Sequence, residues 1–253
     1  MLTCSLQSGS NGNAIYVEAG DVRLLFDAGI SGKQAQQRLA AHGRDIRAID
    51  ALILSHDHSD HVRCAGIYQR KFGLPIYMSR ATQRAIWCDL GQVRDIRYFR
   101  SGESLSFGAV TVHTIRTPHD AVDGVAFIVE HDGRYLGILT DLGHPFDALA
   151  QTLPDLDAAY LESNYDPHML ATGGYPPYLK ARISGKGGHL SNHEAAQLVQ
   201  VCGARRPRWI ALAHLSAENN EPELALQTHR DLLGTDYALH LASRYEVSDL
   251  LSV

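Results

Sequence analysis

The sequence has no apolar run close to the length that crosses a membrane, which takes about 20 apolar residues. Its first residues, MLTCSLQSGSNGN, lack the basic and apolar regions of a secretory signal peptide. The four cysteines are scattered along 253 residues and form no CxxC pair, which argues against a disulfide framework and against a structural zinc knuckle. These absences predict a soluble protein of the reducing cytoplasm.

Positive charge is also scarce, because 23 lysines and arginines stand against 28 acidic residues and give a formal net charge of −5. That balance argues against a generally basic nucleic-acid-binding surface, although it leaves room for a local basic patch. With 45% hydrophobic and 20% charged residues, the composition is that of an ordinary globular protein. The length suits one large domain, and we expect a single domain over residues 1–253.

The first half of the chain alternates strand and helix patterns, as an α/β protein does. Residues 14–18 and 22–27 predict an opening hairpin. Ser31 is expected to cap a helix that ends at Gly43. A short apolar strand is then predicted at 51–54, and polar side chains crowd directly behind it.

The second half repeats this order of strands followed by helices. The first half closes with a helix predicted over about 80–90, and in the second half Asp132-Gly133 between two apolar runs indicates a β-hairpin. The stretch SNHEAAQLVQVCG predicts a capped helix that stops at Gly203. Asn219 and Asn220 are expected to cap the last helix.

Residues 52–61, LILSHDHSDH, place three histidines and two aspartates at the end of the apolar strand. Side chains two residues apart in a loop can converge on one ion, while Asp60 and His61 can turn toward a second ion. Imidazole nitrogens and carboxylate oxygens without a thiolate suit Zn²⁺, Mn²⁺ or Fe²⁺. Strand ends are also where α/β proteins form active sites. A solvated polar turn is the alternative, and the HxHxDH spacing disfavours it.

The HxHxDH motif resembles the signature of the metallo-β-lactamase fold, and later parts of the sequence match that superfamily in order and spacing. The matching residues are His119 in TPHDA, Asp141 after YLGILT and His214 after RWIALA. The resemblance implies a four-layer αββα sandwich of the α/β class, with two metal ions at one edge. It also implies which side chains bind them: His56, His58 and His119 hold one ion, Asp60, His61 and His214 hold the other, and Asp141 bridges both.

Four further motifs narrow the resemblance to the YycJ (WalJ) family, whose members are exonucleases that act on DNA. They are SGSNGNAIYVE, LESNYDPHML, YPPYLKARISGKGGHLSN and HLSAENN, and together they extend from about Ser8 to Asn220. Such a resemblance implies DNA as the substrate and partner.

Two divalent ions about 3.5–4 Å apart can share a hydroxide and clamp the attacking and leaving oxygens of a phosphodiester. This chemistry needs no protein nucleophile, and the sequence has neither a GxSxG motif nor a GK[ST] phosphate loop. Together with the resemblance, these considerations predict a 5′-to-3′ DNA exonuclease. Its nucleophile is a metal-bridging hydroxide, and its cofactors are two divalent ions, either Zn²⁺ or Mn²⁺ with Fe²⁺ as a further candidate.

The leaving oxygen needs a proton, which a histidine polarised by a carboxylate can supply. His189 in GGHLSN is the candidate and Glu162 in YLESNYD its orienting partner, by similarity to tRNase Z and RNase J enzymes. Asp60 is counted with them among the catalytic residues. Three basic residues between Glu162 and His189 are predicted to contact substrate phosphates, although a solvated helix face explains them almost as well: Lys180, Arg182 and Lys186.

Three other functions stay open from the sequence. A small-molecule phosphodiesterase of the PhnP type could use the same ions, and the net charge of −5 slightly favours it. Thioester hydrolysis of the glyoxalase II kind is a second alternative, because a fold does not fix its chemistry. A regulatory module that binds metal without turnover is the third.

Overall fold

The computed structural model describes residues 1–202 and 207–253, and within them fourteen strands form two seven-stranded sheets. The strands are β1 (Leu2–Gln7), β2 (Ala14–Ala19), β3 (Val22–Phe26), β4 (Ala51–Ile53), β5 (Ile76–Ser79), β6 (Ile96–Phe99), β7 (Ser104–Phe107), β8 (Val110–Arg116), β9 (Val125–His131), β10 (Arg134–Leu139), β11 (Ala158–Glu162), β12 (Trp209–Ala213), β13 (Leu239–Leu241) and β14 (Leu251–Ser252).

The helices lie mainly between parallel strands, as crossover connections require. They are α1 (Gly32–Ala41), α2 (Ser59–Val62), α3 (Ala65–Phe72), α4 (Arg80–Ala85), α5 (Asp147–Thr152), α6 (Pro167–Thr172), α7 (Pro177–Ile183), α8 (Asn192–Cys202) and α9 (Pro222–Leu233), with 3₁₀ turns at Ile46–Ala48 and Leu153–Asp155. Among the helices described, none is long and apolar enough to cross a membrane.

Both sheets are mixed. The first has the order β14-β1-β2-β3-β4-β5-β6, and the second has the order β13-β12-β11-β10-β9-β8-β7. Strands β3 to β6 run parallel to one another, as do β10 to β13, whereas the remaining pairs are antiparallel. The carboxyl ends of each parallel block therefore lie at one edge of its sheet, where an α/β site forms.

Alternation along the strands separates the layers, because successive side chains point to opposite faces. In β9, Val125, Phe127 and Val129 belong to the core cluster shared by the two sheets. Ala126 and Ile128 belong instead to the cluster on the outer face of the second sheet. One strand thus contributes to two separate apolar layers.

Helices cover the outer faces of both sheets. On the first sheet, Leu25 and Leu52 share a buried cluster with Leu39 of α1 and Tyr68 of α3. The outer cluster of the second sheet, which contains Ile128, also includes residues of α8 and α9. Helix, sheet, sheet and helix are therefore separated by three apolar clusters, and the predicted αββα sandwich is confirmed.

Several local predictions are also confirmed. Strands β2 and β3 form the predicted hairpin, with Ala19 paired to Val22. Ser31 caps α1 in a reciprocal capping box, and the predicted stop at Gly43 lies just beyond the end of α1 with a φ of 69°. Asp132 has a φ of 50° in the turn between β9 and β10, as a two-residue hairpin turn with Gly133 requires.

Other local predictions are wrong. The hairpin does not open the fold, because β1 precedes it. The helix predicted over about 80–90 ends at Ala85, and beyond it Ile86, Cys88 and Leu90 pack alternately against the outer cluster of the first sheet. Glu221 and not an asparagine lies at the N-cap of α9, while the Asn220 amide donates to the carbonyl oxygens of residues 163 and 164. The predicted helix stop at Gly203 lies outside the described residues.

Candidate metal centre

The candidate site forms where parallel strands of the two sheets end. Asp27 follows β3 and His56 lies beyond β4 in the first sheet, while Glu162 ends β11 in the second. Asp141 lies just beyond β10, and His214 directly follows β12. Asp27, Asp141 and His214 have φ values of 65°, 57° and 56°. Each such left-handed residue costs on the order of 1–3 kcal/mol, so the fold holds backbone strain at this edge.

The first group of candidate ligands consists of His56, His58 and His119, whose ring nitrogens lie within 4.8 Å of one another. His119 Nδ1 lies 2.8 Å from the carbonyl oxygen of Gly188. A proton on Nδ1 therefore donates there and leaves His119 Nε2 for the centre, 3.2 Å from His58 Nδ1. His56 Nε2 is buried and has no hydrogen-bond partner. Three imidazole nitrogens thus converge on one point.

The second group consists of Asp60, His61 and His214, which also present ligand atoms within 4.8 Å. His61 donates from Nδ1 to Asp27 Oδ2 at 2.7 Å, while its Nε2 lies 3.4 Å from Asp60 Oδ2. His214 Nε2 lies 3.5 Å from the same Asp60 oxygen and has no hydrogen-bond partner. Hydrogen bonding by Asp27 fixes which nitrogen of His61 faces the centre.

Asp141 lies between the two groups. Its Oδ1 is 3.6 Å from His119 Nε2 and 3.6 Å from His214 Nε2. Its Oδ2 is 3.2 Å from His61 Nε2 and has no hydrogen-bond partner. One carboxylate therefore faces both sets of candidate ligands, as a bridging ligand must.

The donor atoms left unpaired fit divalent cations. His56 Nε2, His214 Nε2 and Asp141 Oδ2 are buried without a partner, and such atoms are costly unless something satisfies them. Burial lowers the pKa of His56 well below its usual value, so the ring is neutral and offers a lone pair. Burial opposes ionisation of Asp141, but His214 and His61 outweigh it and hold that pKa well below its usual range.

Negative charge is in surplus around His61. Burial lowers the pKa of this ring, yet the carboxylates of Asp141, Asp27 and Asp60 outweigh burial and raise the pKa well above its usual value. Asp60 itself keeps a pKa far below the ordinary one, because His61 and His214 overcome the effect of its burial. A divalent cation in this position would take the place of the proton and neutralise the carboxylates.

His189 and Glu162 form a hydrogen-bonded pair beside the two groups. Glu162 Oε1 accepts from His189 Nδ1 at 2.7 Å, and Oε2 accepts from the backbone N–H groups of Leu142 at 3.0 Å and Leu190 at 3.2 Å. The ligand atoms of Asp141, Glu162, His189 and His214 also lie within 4.8 Å of one another. Both Glu162 oxygens are nevertheless occupied, which suits an orienting residue better than a metal ligand.

The environment of His189 favours its charged form. Burial lowers the pKa of His189, but the carboxylates of Glu162, Asp141 and Asp60 outweigh burial and raise that pKa to about 9. The Glu162 carboxyl is buried, which raises its pKa, yet the pKa is lowered overall by the His189 ring. With Nδ1 held by Glu162, Nε2 is the His189 atom left to act on a substrate.

A cavity of about 280 Å³ opens over the candidate metal centre. Arg182 reaches its rim, where Arg182 Nε donates to Asp120 Oδ2 at 2.6 Å. Lys180 and Lys186 do not line the cavity, and Lys180 Nζ donates to the carbonyl oxygen of Ala171 at 2.7 Å. The lining consists of Ser10, His58, Ser59, Asp60, Trp87, His119, Asp141, Arg182, His189 and His214.

Sequence reasoning missed several residues that support the site. Asp27 gives no signal in the sequence beyond its position at a strand end. Asn13 lies in the Gly-rich turn, and its Nδ2 is 3.1 Å from Asp60 Oδ2. Asn164 donates from Nδ2 to the backbone carbonyl oxygen of His214 at 2.7 Å. Trp87 lines the cavity, although its stretch of sequence was predicted as an ordinary helix.

Comparison with known proteins adds a family to this geometry. The sequence profile of the metallo-beta-lactamase superfamily matches residues 8–147. The chain is 36% identical over 227 residues to exodeoxyribonuclease WalJ of Streptococcus pneumoniae serotype 2, covering 88% of this chain and 84% of that protein. It is 32% identical over 246 residues to exodeoxyribonuclease YycJ of Bacillus anthracis, with 96% and 93% covered.

The fold has solved counterparts as well. The metallo-beta-lactamase fold protein YhfI of Bacillus subtilis superposes with a TM-score of 0.72 at 17% sequence identity, covering 98% of this chain and 99% of that one. At this identity the likeness shows the shared fold.

Proposed function

Because the chain belongs to the metallo-beta-lactamase superfamily of metal-dependent hydrolases, and within it to the family of the WalJ and YycJ exodeoxyribonucleases, we propose that it is a 5′-to-3′ exonuclease that hydrolyses DNA. One observation supports the proposal above the others: the buried Asp141 carboxylate faces two groups of candidate ligand atoms beside the hydrogen-bonded His189–Glu162 pair.

Two divalent ions, Zn²⁺ or Mn²⁺ and with Fe²⁺ as a further candidate, are the proposed cofactors. Bound there, they would lower the pKa of a water molecule and supply positive charge for the phosphate oxygens. The proposed ligands are His56, His58 and His119 for one ion, Asp60, His61 and His214 for the other, and Asp141 for both.

The protein's own residues then supply orientation and the proton. Asp27 holds the His61 ring through Nδ1, so that Nε2 faces the centre. Glu162 holds His189 through Nδ1 in the same way, and His189 Nε2 donates a proton to the oxygen that leaves when the phosphodiester bond breaks. Without that proton an alkoxide would leave, which is a much poorer leaving group.

Basic residues next to the centre are proposed to bind substrate phosphates. Arg182 is the strongest of them, because it lies at the cavity rim and its ion pair with Asp120 fixes the guanidinium. Lys180 and Lys186 lie outside the cavity and would contact phosphates farther along the strand. Such contacts make binding weaken as salt rises.

The cytoplasm is the proposed location, in keeping with four cysteines that form no disulfide.

A small-molecule phosphodiesterase is the second candidate function. The cavity of about 280 Å³ is compatible with it, because this volume is close to the lower end of the ~300–1,000 Å³ range of common ligand pockets. The same volume also suits the end of a strand, which places one nucleotide at a time over the centre.

Digestion of end-labelled DNA separates the two candidates. Purified protein loaded with Mn²⁺ or Zn²⁺ is incubated with double-stranded DNA that carries a 5′-phosphate, and the His56→Ala variant serves as the control. Stepwise shortening from the 5′ end by the wild type alone supports the exonuclease. Intact DNA together with turnover of bis(p-nitrophenyl) phosphate would move the substrate to the small-molecule class.

A further inference from the structure

Trp87 is exposed to solvent at the wall of the cavity over the candidate metal centre. Its side chain is 78% exposed, whereas Trp209, the other tryptophan of the chain, is 5% exposed. Leaving a large aromatic ring in solvent forgoes a substantial hydrophobic gain. The ring nevertheless lines the same cavity as His58, His119 and Arg182. An exposed aromatic side chain in this position points to a binding role more than to packing.

The direction of Trp87 is set by anchored neighbours. Ile86, Cys88 and Leu90 pack against the outer core cluster of the first sheet, so alternate residues of this segment face inward. The carbonyl oxygen of Leu90 also accepts a hydrogen bond from Arg70 of α3. A Cβ atom at Gly66 of α3 would lie 1.8 Å from that carbonyl oxygen, which shows how closely the two backbones pack. The exposed ring therefore belongs to a fixed segment.

The chemistry of the cavity suggests what the ring binds. Arg182 supplies positive charge for a phosphate, and the candidate metal ligands would hold cations that bind the phosphate as well. Trp87 offers a flat apolar face in the same cavity. A nucleotide combines these two requirements, because its phosphate is anionic and its base is a flat π-system. Aromatic side chains stack on nucleobases with little sequence preference, since every base has a π-face. A nuclease that removes each nucleotide in turn needs that tolerance.

We propose that Trp87 stacks on the base of the 5′-terminal nucleotide while the scissile phosphate lies at the candidate metal centre. This inference rests on the proposed exonuclease function and adds a subsite for the base. Trp87 is a substrate-binding residue in this view and takes no part in bond breaking.

Kinetics with a normal and a base-free DNA end test the proposal. Wild type, Trp87→Ala and Trp87→Phe are compared on duplexes whose 5′-terminal nucleotide either carries its base or is abasic. Base stacking on an aromatic side chain corresponds to a change of roughly 5- to 150-fold. We expect Trp87→Ala to raise KM by that factor on the normal end and to leave KM on the abasic end unchanged. Trp87→Phe should restore most of the loss.

A matched control variant tests whether the change in KM is specific to this subsite or follows from the loss of any exposed aromatic side chain. Tyr178 on α7 is 75% exposed and does not line the cavity, so Tyr178→Ala should leave KM on both ends unchanged. Tryptophan fluorescence gives a second readout, because Trp209 is buried. Phosphorothioate DNA, which resists hydrolysis, should quench the emission of the wild type and leave that of Trp87→Phe unchanged.

Each contrary outcome has a defined meaning. Equal KM values for wild type and Trp87→Ala on the normal end would overturn the stacking proposal and leave the exonuclease function intact. A Trp87→Ala protein that loses a dimeric state with KM unchanged would assign the ring to a protein interface, which also overturns the proposal. A wild type that hydrolyses bis(p-nitrophenyl) phosphate but neither DNA end would refute the exonuclease function and the stacking with it.

Discussion

Glu162→Gln is the sharpest test of how the proton reaches the leaving oxygen. The substitution removes the negative charge and keeps the shape of the side chain. In the wild type both carboxylate oxygens accept, one from His189 and the other from the N–H groups of Leu142 and Leu190. A glutamine amide has a single acceptor oxygen, so it cannot serve both sides. If that oxygen accepts from the backbone N–H groups, the amide N–H₂ of the glutamine faces His189 Nδ1, which is itself a donor in the wild type.

The size of the effect follows from the charge on His189. Its pKa is raised from an ordinary 6.5 to about 9, and that interval corresponds to about 3 kcal/mol in favour of the protonated ring. Glu162 is the largest favourable contributor, with Asp141 and Asp60 behind it. Removing its charge should therefore lower kcat by about 10²-fold, within the ~10²–10⁴-fold range of a positioned acid.

The assay compares leaving groups at constant metal content. On DNA, whose leaving oxygen needs a proton to depart as an alcohol, Glu162→Gln and His189→Ala should both lose kcat while each chain still binds two ions by elemental analysis. On bis(p-nitrophenyl) phosphate, whose leaving group needs little protonation, both deficits should shrink strongly. An equal deficit on the two substrates, or a loss of metal that parallels the loss of activity, would refute the role given to this pair.

Three further predictions test the ligands and the core. His56→Ala and Asp141→Ala should lose metal and activity together, and two full metal ions in either variant would remove the proposed ligand from the site. Asp27→Asn should weaken metal binding by about 10- to 100-fold and recover activity when metal is added in excess, because it only orients His61. Burial lowers the pKa of His229 from 6.5 to about 4, so the unfolded chain takes up a proton first as pH falls. That group should remove about 3 kcal/mol of unfolding free energy between pH 6.5 and pH 4, and chemical denaturation should show less acid sensitivity in His229→Leu than in the wild type.

The histidines of the candidate metal centre could be predicted because local spacing carries their signal. HxHxDH places four candidate ligands within six residues, and the strand before it predicts the edge of the sheet where they lie. Asp27 could not be found in this way. It reaches His61, 34 residues later, only because β3 and β4 pair in parallel with Phe26 opposite Ile53. A long-range register is required to bring the two side chains together.

The strand and the helix end that were not predicted from the sequence also depend on contacts with residues distant in sequence. Strand β1 is held by β2 and by β14, where Leu2 lies opposite Ser252 from the far end of the chain. The residues after Ala85 leave the helix because Ile86, Cys88 and Leu90, at every second position, pack against the outer cluster of the first sheet. Propensity describes the chain alone, whereas these segments are decided by partners distant in sequence. The single domain over residues 1–253 stays a prediction.

The net charge of −5 is weaker evidence against a DNA substrate than it is when the sequence alone is considered. Part of that charge consists of buried carboxylates at the candidate centre, among them Asp27, Asp141 and Glu162. Two divalent ions would add four positive charges and bring the formal net charge from −5 to −1. The cations would lie where the scissile phosphate must approach, and steering depends on where charge is placed as well as on its sum. Because Asp60, Asp141 and Glu162 lie at the candidate metal centre, part of the negative charge of this sequence is what a site that binds cations and attracts a phosphate requires.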